Sequence, residues 1–158
     1  MSEKKTGVES LIVWQASIDL AVKVCQEILN LLPSNEKFAL APQLQRPLQS
    51  IPANITEGYG CYYYQDNVRF GYIARGSLEE TISHLTLACK LGCFSKVVLH
   101  SFMQLTNELR RMLNGYIAFL NRSKRGENEP GAEHQEDPNK DTTNDLLLEP
   151  LALSADSP

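Results

Sequence analysis

Glu80 and His84 lie four residues apart, so on a helix they share a face. That spacing suits a pair of metal ligands, or a general acid beside a base. Cys89 and Cys93 repeat it with thiols. Neither pair grows into a site. Di-iron bundles draw Glu-x-x-His from two helices and a further Glu from each of two others, and the chain contains no Glu-x-x-His. A zinc site needs a second Cys/His pair close by, and none accompanies Cys89 and Cys93. The phosphate-cradling G-x-x-x-x-G-K, the G-x-S-x-G elbow and the H-E-x-x-H helix are all missing. No catalytic residue, metal or cofactor is therefore expected, and the chain reads as a binder.

Three groups of residues could carry binding. Tyr59, Tyr62, Tyr63 and Tyr64 crowd into six positions, with Arg69 and Tyr72 just beyond. Nucleic-acid bases stack on aromatic rings, but tyrosine is also enriched where proteins meet. The run itself holds no Lys or Arg, so it reads first as a protein interface. The candidate phosphate contacts are Arg46, Arg110, Arg111, Arg122, Lys124 and Arg125. They are scattered apart from one pair and one short run, and a helix end favours cations in any case. The third group is structural: Pro52, Asn54, Glu57, Gly58, Arg75, Gly76, Ser77 and Glu80. A helical proline frees a carbonyl, which neighbouring donors must satisfy. Arg75 is expected to pair with Glu57 or Glu80, and Gly76-Ser77 to mark a close approach by a neighbouring helix.

The elements that must position these groups are four helices. Trp14, Ile18, Ala21, Cys25, Ile28 and Leu32 recur at helical spacing and predict a first helix over 10–32. Pro33 ends it, because the residue before a proline avoids the helical region. Leu44, Leu48, Ile51 and Ile55 predict a second helix over 42–58, with Pro42 at its first position and a kink from Pro47 and Pro52. Phe70, Ile73, Ser77, Ile82, Leu85 and Ala88/Cys89 predict a third over 66–91, capped by Asp66 or Asn67 and closed by Gly92. Leu99, Phe102, Leu105, Leu109, Met112/Leu113, Tyr116 and Leu120 predict a fourth over 96–122 behind Ser95. Connections at 33–41, 59–65 and 92–95 are short, so neighbours run antiparallel. The fold class is all-α, an up-down-up-down antiparallel four-helix bundle over 10–125, after a flexible N-terminus over 1–9.

Composition sets the surroundings. The chain has 158 residues, one domain's worth. No apolar run is long enough to cross a membrane, and Met-Ser-Glu-Lys-Lys lacks the apolar core of a signal peptide. Of the four cysteines two sit inside helical patterns as small apolar residues, which fits a reducing compartment, so a cytoplasmic location is expected. The net charge of −4 hides an asymmetry. Residues 1–125 hold 14 Lys and Arg against 10 Asp and Glu, a net of +4. Residues 126–158 hold one Lys against 9 Asp and Glu, a net of −8, with no aromatic residue. Such a stretch is expected to be a disordered acidic tail. One apolar patch interrupts it: Leu146, Leu147, Leu148, Leu151 and Leu153 around Glu149 and Pro150.

Several runs resemble a known family when taken together. Ser50-Ile51-Pro52-Ala53-Asn54-Ile55-Thr56-Glu57-Gly58 resembles the S-[IV]-P-x-N-I-x-E-G signature of the bacterial 23S rRNA intervening-sequence proteins. Ile73-Ala74-Arg75-Gly76-Ser77-Leu78-Glu79-Glu80, Leu91-Gly92-Cys93-Phe94-Ser95, Met112-Leu113-Asn114-Gly115 and Val13-Trp14-Gln15 resemble further segments in the same order. The resemblance covers about residues 10–122. It implies a four-helix bundle that closes into a homo-oligomer, a pentamer being favoured. It also implies relatives among accessory proteins of diversity-generating retroelements, which bind nucleic acid and a partner enzyme. Two positions depart from the pattern. The family's Arg-Arg pair early in helix 2 is here Arg46-Pro47, and its basic residues after G-x-G are replaced by Cys61-Tyr62-Tyr63-Tyr64.

The expected function is that of a non-catalytic, oligomeric accessory protein binding RNA or DNA through a modest basic surface. The alternative is a protein-only scaffold using the tyrosine corner and the leucine-bearing tail.

Overall fold

The computed structural model describes residues 7–123. The expectations for residues 126–158, and for Lys124 and Arg125, lie outside them. A 3-10 turn at Gly7–Ser10 leads into α1 at Ile12–Lys23, which runs on through a wider turn at Val24–Ile28. Then follow α2 at Ser34–Gly60, α3 at Tyr64–Lys90 and α4 at Lys96–Arg122. The ordered turn at Gly7–Ser10 falls within the stretch expected to be flexible. Each of the last three helices has 27 residues, about 40 Å at 1.5 Å per residue, so they match in height. In an antiparallel ring α1 packs on α2 and α4, and α3 packs on α2 and α4. This is the up-down-up-down four-helix bundle.

The core lies along the bundle axis. On α2 the expected stripe Leu44, Leu48, Ile51 and Ile55 is fully buried, joined by Leu40, Pro47 and Pro52. On α4 the buried line is Phe102, Thr106, Leu109, Leu113, Ile117 and Leu120. Its expected members Leu99, Leu105, Met112 and Tyr116 flank that line, half-buried against the core. On α3 the inward face is Val68, Gly71, Ala74, Ser77, Leu78, Thr81, Leu85 and Ala88. Ile73, expected to face inward, is instead exposed.

The first helix buries Ile28 and Leu32 as expected, but before them its buried face is one residue off the expected one. Val13, Ser17, Leu20, Val24 and Ile28 point inward, while Trp14, Ile18, Ala21 and Cys25 sit on the flank. The reason is the wider turn, in which Leu29 N–H donates to the Val24 carbonyl five residues back, at 3.2 Å. That wider turn keeps Val24, Ile28 and Leu32 on one side at steps of four. A reading in strict 4-3 steps slips off the face.

The second helix begins earlier than expected. Pro33 is its extended N-cap residue, and the Pro33 carbonyl accepts from Glu36 N and Lys37 N, both at 2.9 Å. Pro33 thus ends one helix and opens the next. Pro42 lies inside α2, not at its start, and the helix passes through Pro42, Pro47 and Pro52. Pro42 and Phe38 are both exposed, so the carbonyl that Pro42 leaves without a helical partner is open to water. The link between α2 and α3 is only three residues, Cys61 to Tyr63, with Tyr63 as the extended cap instead of Asp66 or Asn67. Ser95 caps α4 by accepting from Val98 N at 3.3 Å, and Gly92 closes α3 with φ +80°.

Candidate nucleic-acid interface

The signature run of α2 faces its neighbour helices. Ser50 Oγ and Ser77 Oγ meet 2.9 Å apart between α2 and α3. Asn54 Nδ2 donates to Ser50 Oγ at 2.9 Å and to the Ser50 carbonyl at 2.7 Å. Asn54 was expected to serve the carbonyls that prolines free; it bonds one turn back instead. Trp14 Nε1 donates to Thr56 Oγ1 at 2.9 Å, which ties α1 to α2, and Thr56 Oγ1 donates on to the Pro52 carbonyl. A Cβ at Gly58 would lie 2.9 Å from both Phe70 Cβ and Asn67 Oδ1, so this glycine sets the closest approach of α2 and α3. Gly76 does not play the part expected of it, because a Cβ there meets nothing within 4 Å. The small residues at the α3 contacts are Ser77 and Gly71, the latter against Ile117 of α4.

Arg75 bonds to neither Glu57 nor Glu80. Its guanidinium stacks 5.0 Å from the centre of the Tyr72 ring and donates to Asn114 Oδ1 at 3.2 Å. It therefore faces α4, away from α2. Glu80 is exposed and meets only its own helix partner His84, at 3.7 Å. Glu57 is exposed near the end of α2.

Polar pairs join α3 and α4 along the length of their antiparallel seam. Glu79 takes Arg110 in a two-pronged pair at 2.6 and 2.9 Å, and Arg110 also donates to Asn107 Oδ1 at 2.7 Å. Next come Arg75 with Asn114, then Tyr72 Oη accepting from Asn121 Nδ2 at 3.4 Å. Tyr116 Oη donates to Asn67 Oδ1 at 3.1 Å, and burial pushes the Tyr116 phenol above its usual range. Last, Ser123 Oγ lies 2.6 Å from Tyr64 Oη and 2.8 Å from the Leu120 carbonyl. The carbonyl can only accept, so the serine proton goes to it and the tyrosine donates to the serine.

This seam delivers the end of α4 to the tyrosine corner. Tyr62 is 93% exposed and Tyr63 47%, their rings edge to face at 5.2 Å. Tyr59, on the last turn of α2, is exposed to the same degree as Tyr63. Arg122 precedes Ser123 and is exposed, as is Arg69 two turns into α3. Lys124 and Arg125 follow Ser123 directly in the sequence. Opposing them are Glu57 and Asp66, whose negative charges add to burial in raising the Cys61 thiol above its usual range. The corner thus presents exposed tyrosines at the end of the bundle where α4 finishes, with Arg69 and Arg122 exposed on α3 and α4.

The remaining cations do not join it. Arg110 is held by Glu79 partway up the bundle, Arg111 is on the outer face of α4, and Arg46 is on α2, diagonally across from α4. Asn121 and Ser123 were not singled out from sequence, Asn67 only as a cap and Asn114 only within a family segment. The antiparallel register of α3 and α4 was the only signal of their pairing.

Among the described residues no group of three His, Cys, Asp or Glu side chains is placed to hold a metal. No helix there is long and apolar enough to cross a membrane. The sequence model of the 23S rRNA-intervening sequence proteins matches residues 9–115. The chain belongs to this family. The match contains the signature on α2, the tyrosines of the corner and the Glu79–Arg110 and Arg75–Asn114 pairs of the seam, and it stops short of Tyr116, Asn121 and Arg122. A solved relative is a protein of unknown function from the S23 ribosomal protein family of Bacteroides thetaiotaomicron. It is 23% identical with a TM-score of 0.62, over 68% of this chain and 96% of that one. The likeness shows that the family fold is shared. No curated protein matches the chain.

Proposed function

We propose that this member of the family is a non-catalytic, homo-oligomeric cytoplasmic accessory protein that binds single-stranded RNA or DNA at the tyrosine corner and acts beside a partner enzyme. The observation that carries the reading is the 2.6 Å contact between Tyr64 Oη and Ser123 Oγ. It joins the neighbour of Arg122 in the chain to the neighbour of exposed Tyr62 and Tyr63, and Lys124 and Arg125 follow in sequence. Stacking on an aromatic contributes about 1–3 kcal/mol per base, and cations along the strand neutralise phosphate. The corner has both chemistries, although the loop Cys61 to Tyr63 has no cation of its own.

The test is binding of the full chain to a labelled oligonucleotide across a salt series. Binding whose log affinity falls by roughly 0.7 per phosphate contact against log salt, and which weakens with Tyr62→Ala or Arg122→Ala, supports the reading. One observation favours a protein-only scaffold instead: Arg110, a leading cation of the body, is already bonded to Glu79 and Asn107. Undetectable nucleic-acid binding at low salt, with capture of a protein by the tyrosine corner, would establish that alternative.

A further inference from the structure

The end of the bundle opposite the tyrosine corner is formed by the α1–α2 connection, the α3–α4 connection and the helix turns beside them. It carries Leu31, Phe38, Leu87, Leu91 and Val97, all exposed, with Phe38 at 90% and Val97 at 80%. Both connections fall at this end because α1 and α3 run toward it and α2 and α4 away from it. Single exposed apolar residues are ordinary, but five fall at this one end of the bundle, and a concentration of that kind is what interaction surfaces carry. Lys37, Lys90 and Lys96 are exposed at the same end, and among the described residues none of the three is in an ion pair. Its ligand should therefore be apolar and acidic together.

The chain contains one segment of that chemistry. Residues 145–153 carry Leu146, Leu147, Leu148, Leu151 and Leu153, with the carboxylates of Asp145 and Glu149 beside them. Geometry allows the reach. Twenty-one residues separate Ser123 from Asp145, and extended chain covers about 3.3 Å per residue, roughly 70 Å in all. The far end lies about 40 Å away along α4. The same end of a second copy fits less well, because a two-fold contact would set lysines against lysines. Tethering also gives the segment an effective concentration that a separate ligand lacks.

We infer that residues 145–153 dock on the exposed apolar end formed by Leu31, Phe38, Leu87, Leu91 and Val97 of the same chain, with the lysines there meeting Asp145 and Glu149. The contact leaves the tyrosine corner open, so it stands or falls apart from nucleic-acid binding.

Hydrogen exchange on the full chain tests it. In the wild-type protein, amides at 34–38 and 91–98 should exchange several-fold more slowly than in a Leu147→Asp, Leu151→Asp variant, with the rest of the bundle unchanged. Conversely, Phe38→Asp with Val97→Asp, both at exposed positions, should speed exchange at 146–153. Equal rates in all three proteins would overturn the inference. So would protection by the segment at the tyrosine corner instead, or protection that disappears on dilution, which would mean contact between copies.

Discussion

The Tyr64 and Ser123 hydroxyls, 59 residues apart in the chain, sit 2.6 Å apart where α3 begins and α4 ends. The pair fixes where the chain leaves the bundle, beside the exposed tyrosines. Tyr64→Phe removes the donor and keeps the ring. A lost hydrogen bond of this kind costs about 1 kcal/mol, readable as a lower urea midpoint. If the pair also positions Arg122, oligonucleotide affinity should fall a few-fold, whereas an affinity loss no larger than that of a distant variant of equal stability would show that it does not.

Gly58 and Gly76 are both helical and should respond to alanine with opposite signs. At Gly58 the new Cβ meets Phe70 Cβ at 2.9 Å and the Asn67 carbonyl oxygen at 3.2 Å. Neither is the end of a flexible side chain, so α2 and α3 must separate. Overpacking of this sort costs about 1–3 kcal/mol. At Gly76 nothing lies within 4 Å, and removing a glycine from a helix interior gains roughly 0.5–1 kcal/mol. Urea unfolding of the two variants checks both signs. A loss at Gly76 accompanied by a smaller assembly in solution would place a subunit contact on that face.

These two glycines also show how far the sequence could be read. Both stood out as small residues in recognisable runs, yet only packing tells that one is pressed and the other free. The α2 face was legible because four aliphatic residues repeat at helical spacing. The α1 face was not, because its five-residue hydrogen bond at Val24 to Leu29 shifts the period partway along. The start of α2 was hidden by Pro42, a residue that opens helices and here stands inside one at an exposed position. For the site, tyrosines and cations could be seen as residue types. Their meeting depends on the α3–α4 register, which pairs Tyr72 with Asn121 and Arg75 with Asn114. That register comes from side-chain packing between segments distant in the sequence.

Stability should fall at alkaline pH. Cys61 and Cys93 thiols are raised above an ordinary value of 9.0, and the Tyr116 phenol above 10.0, burial being the largest cause in each case. A raised acid holds its proton longer folded than unfolded, so between the two pKa values the folded chain binds more protons and stability drops as pH rises. The three groups add no slope below about pH 8, and together they give a decline that starts near pH 9 and steepens past 10. Urea midpoints from pH 7 to 11 check this. Tyr116→Phe should flatten the upper part of the decline while lowering the neutral-pH midpoint through loss of the Asn67 bond.

Arg110 and Arg122 should separate stability from binding. Arg110 is bonded to Glu79 through two donors and to Asn107 through a third, so three of its five N–H donors are already taken and its charge is matched by a carboxylate. The pair is partly exposed, and such pairs contribute about 0.2–1 kcal/mol. Arg110→Ala should therefore lower the unfolding midpoint slightly and leave the salt slope of oligonucleotide binding unchanged. Arg122 lies exposed beside Ser123 at the tyrosine corner. Arg122→Ala should leave the midpoint almost where it was and reduce the slope by roughly 0.7, one phosphate contact on a single strand. Paired titrations over the same salt range decide the matter. If Arg110→Ala reduces the slope and Arg122→Ala does not, the nucleic-acid surface lies along the middle of α4 and not at the corner.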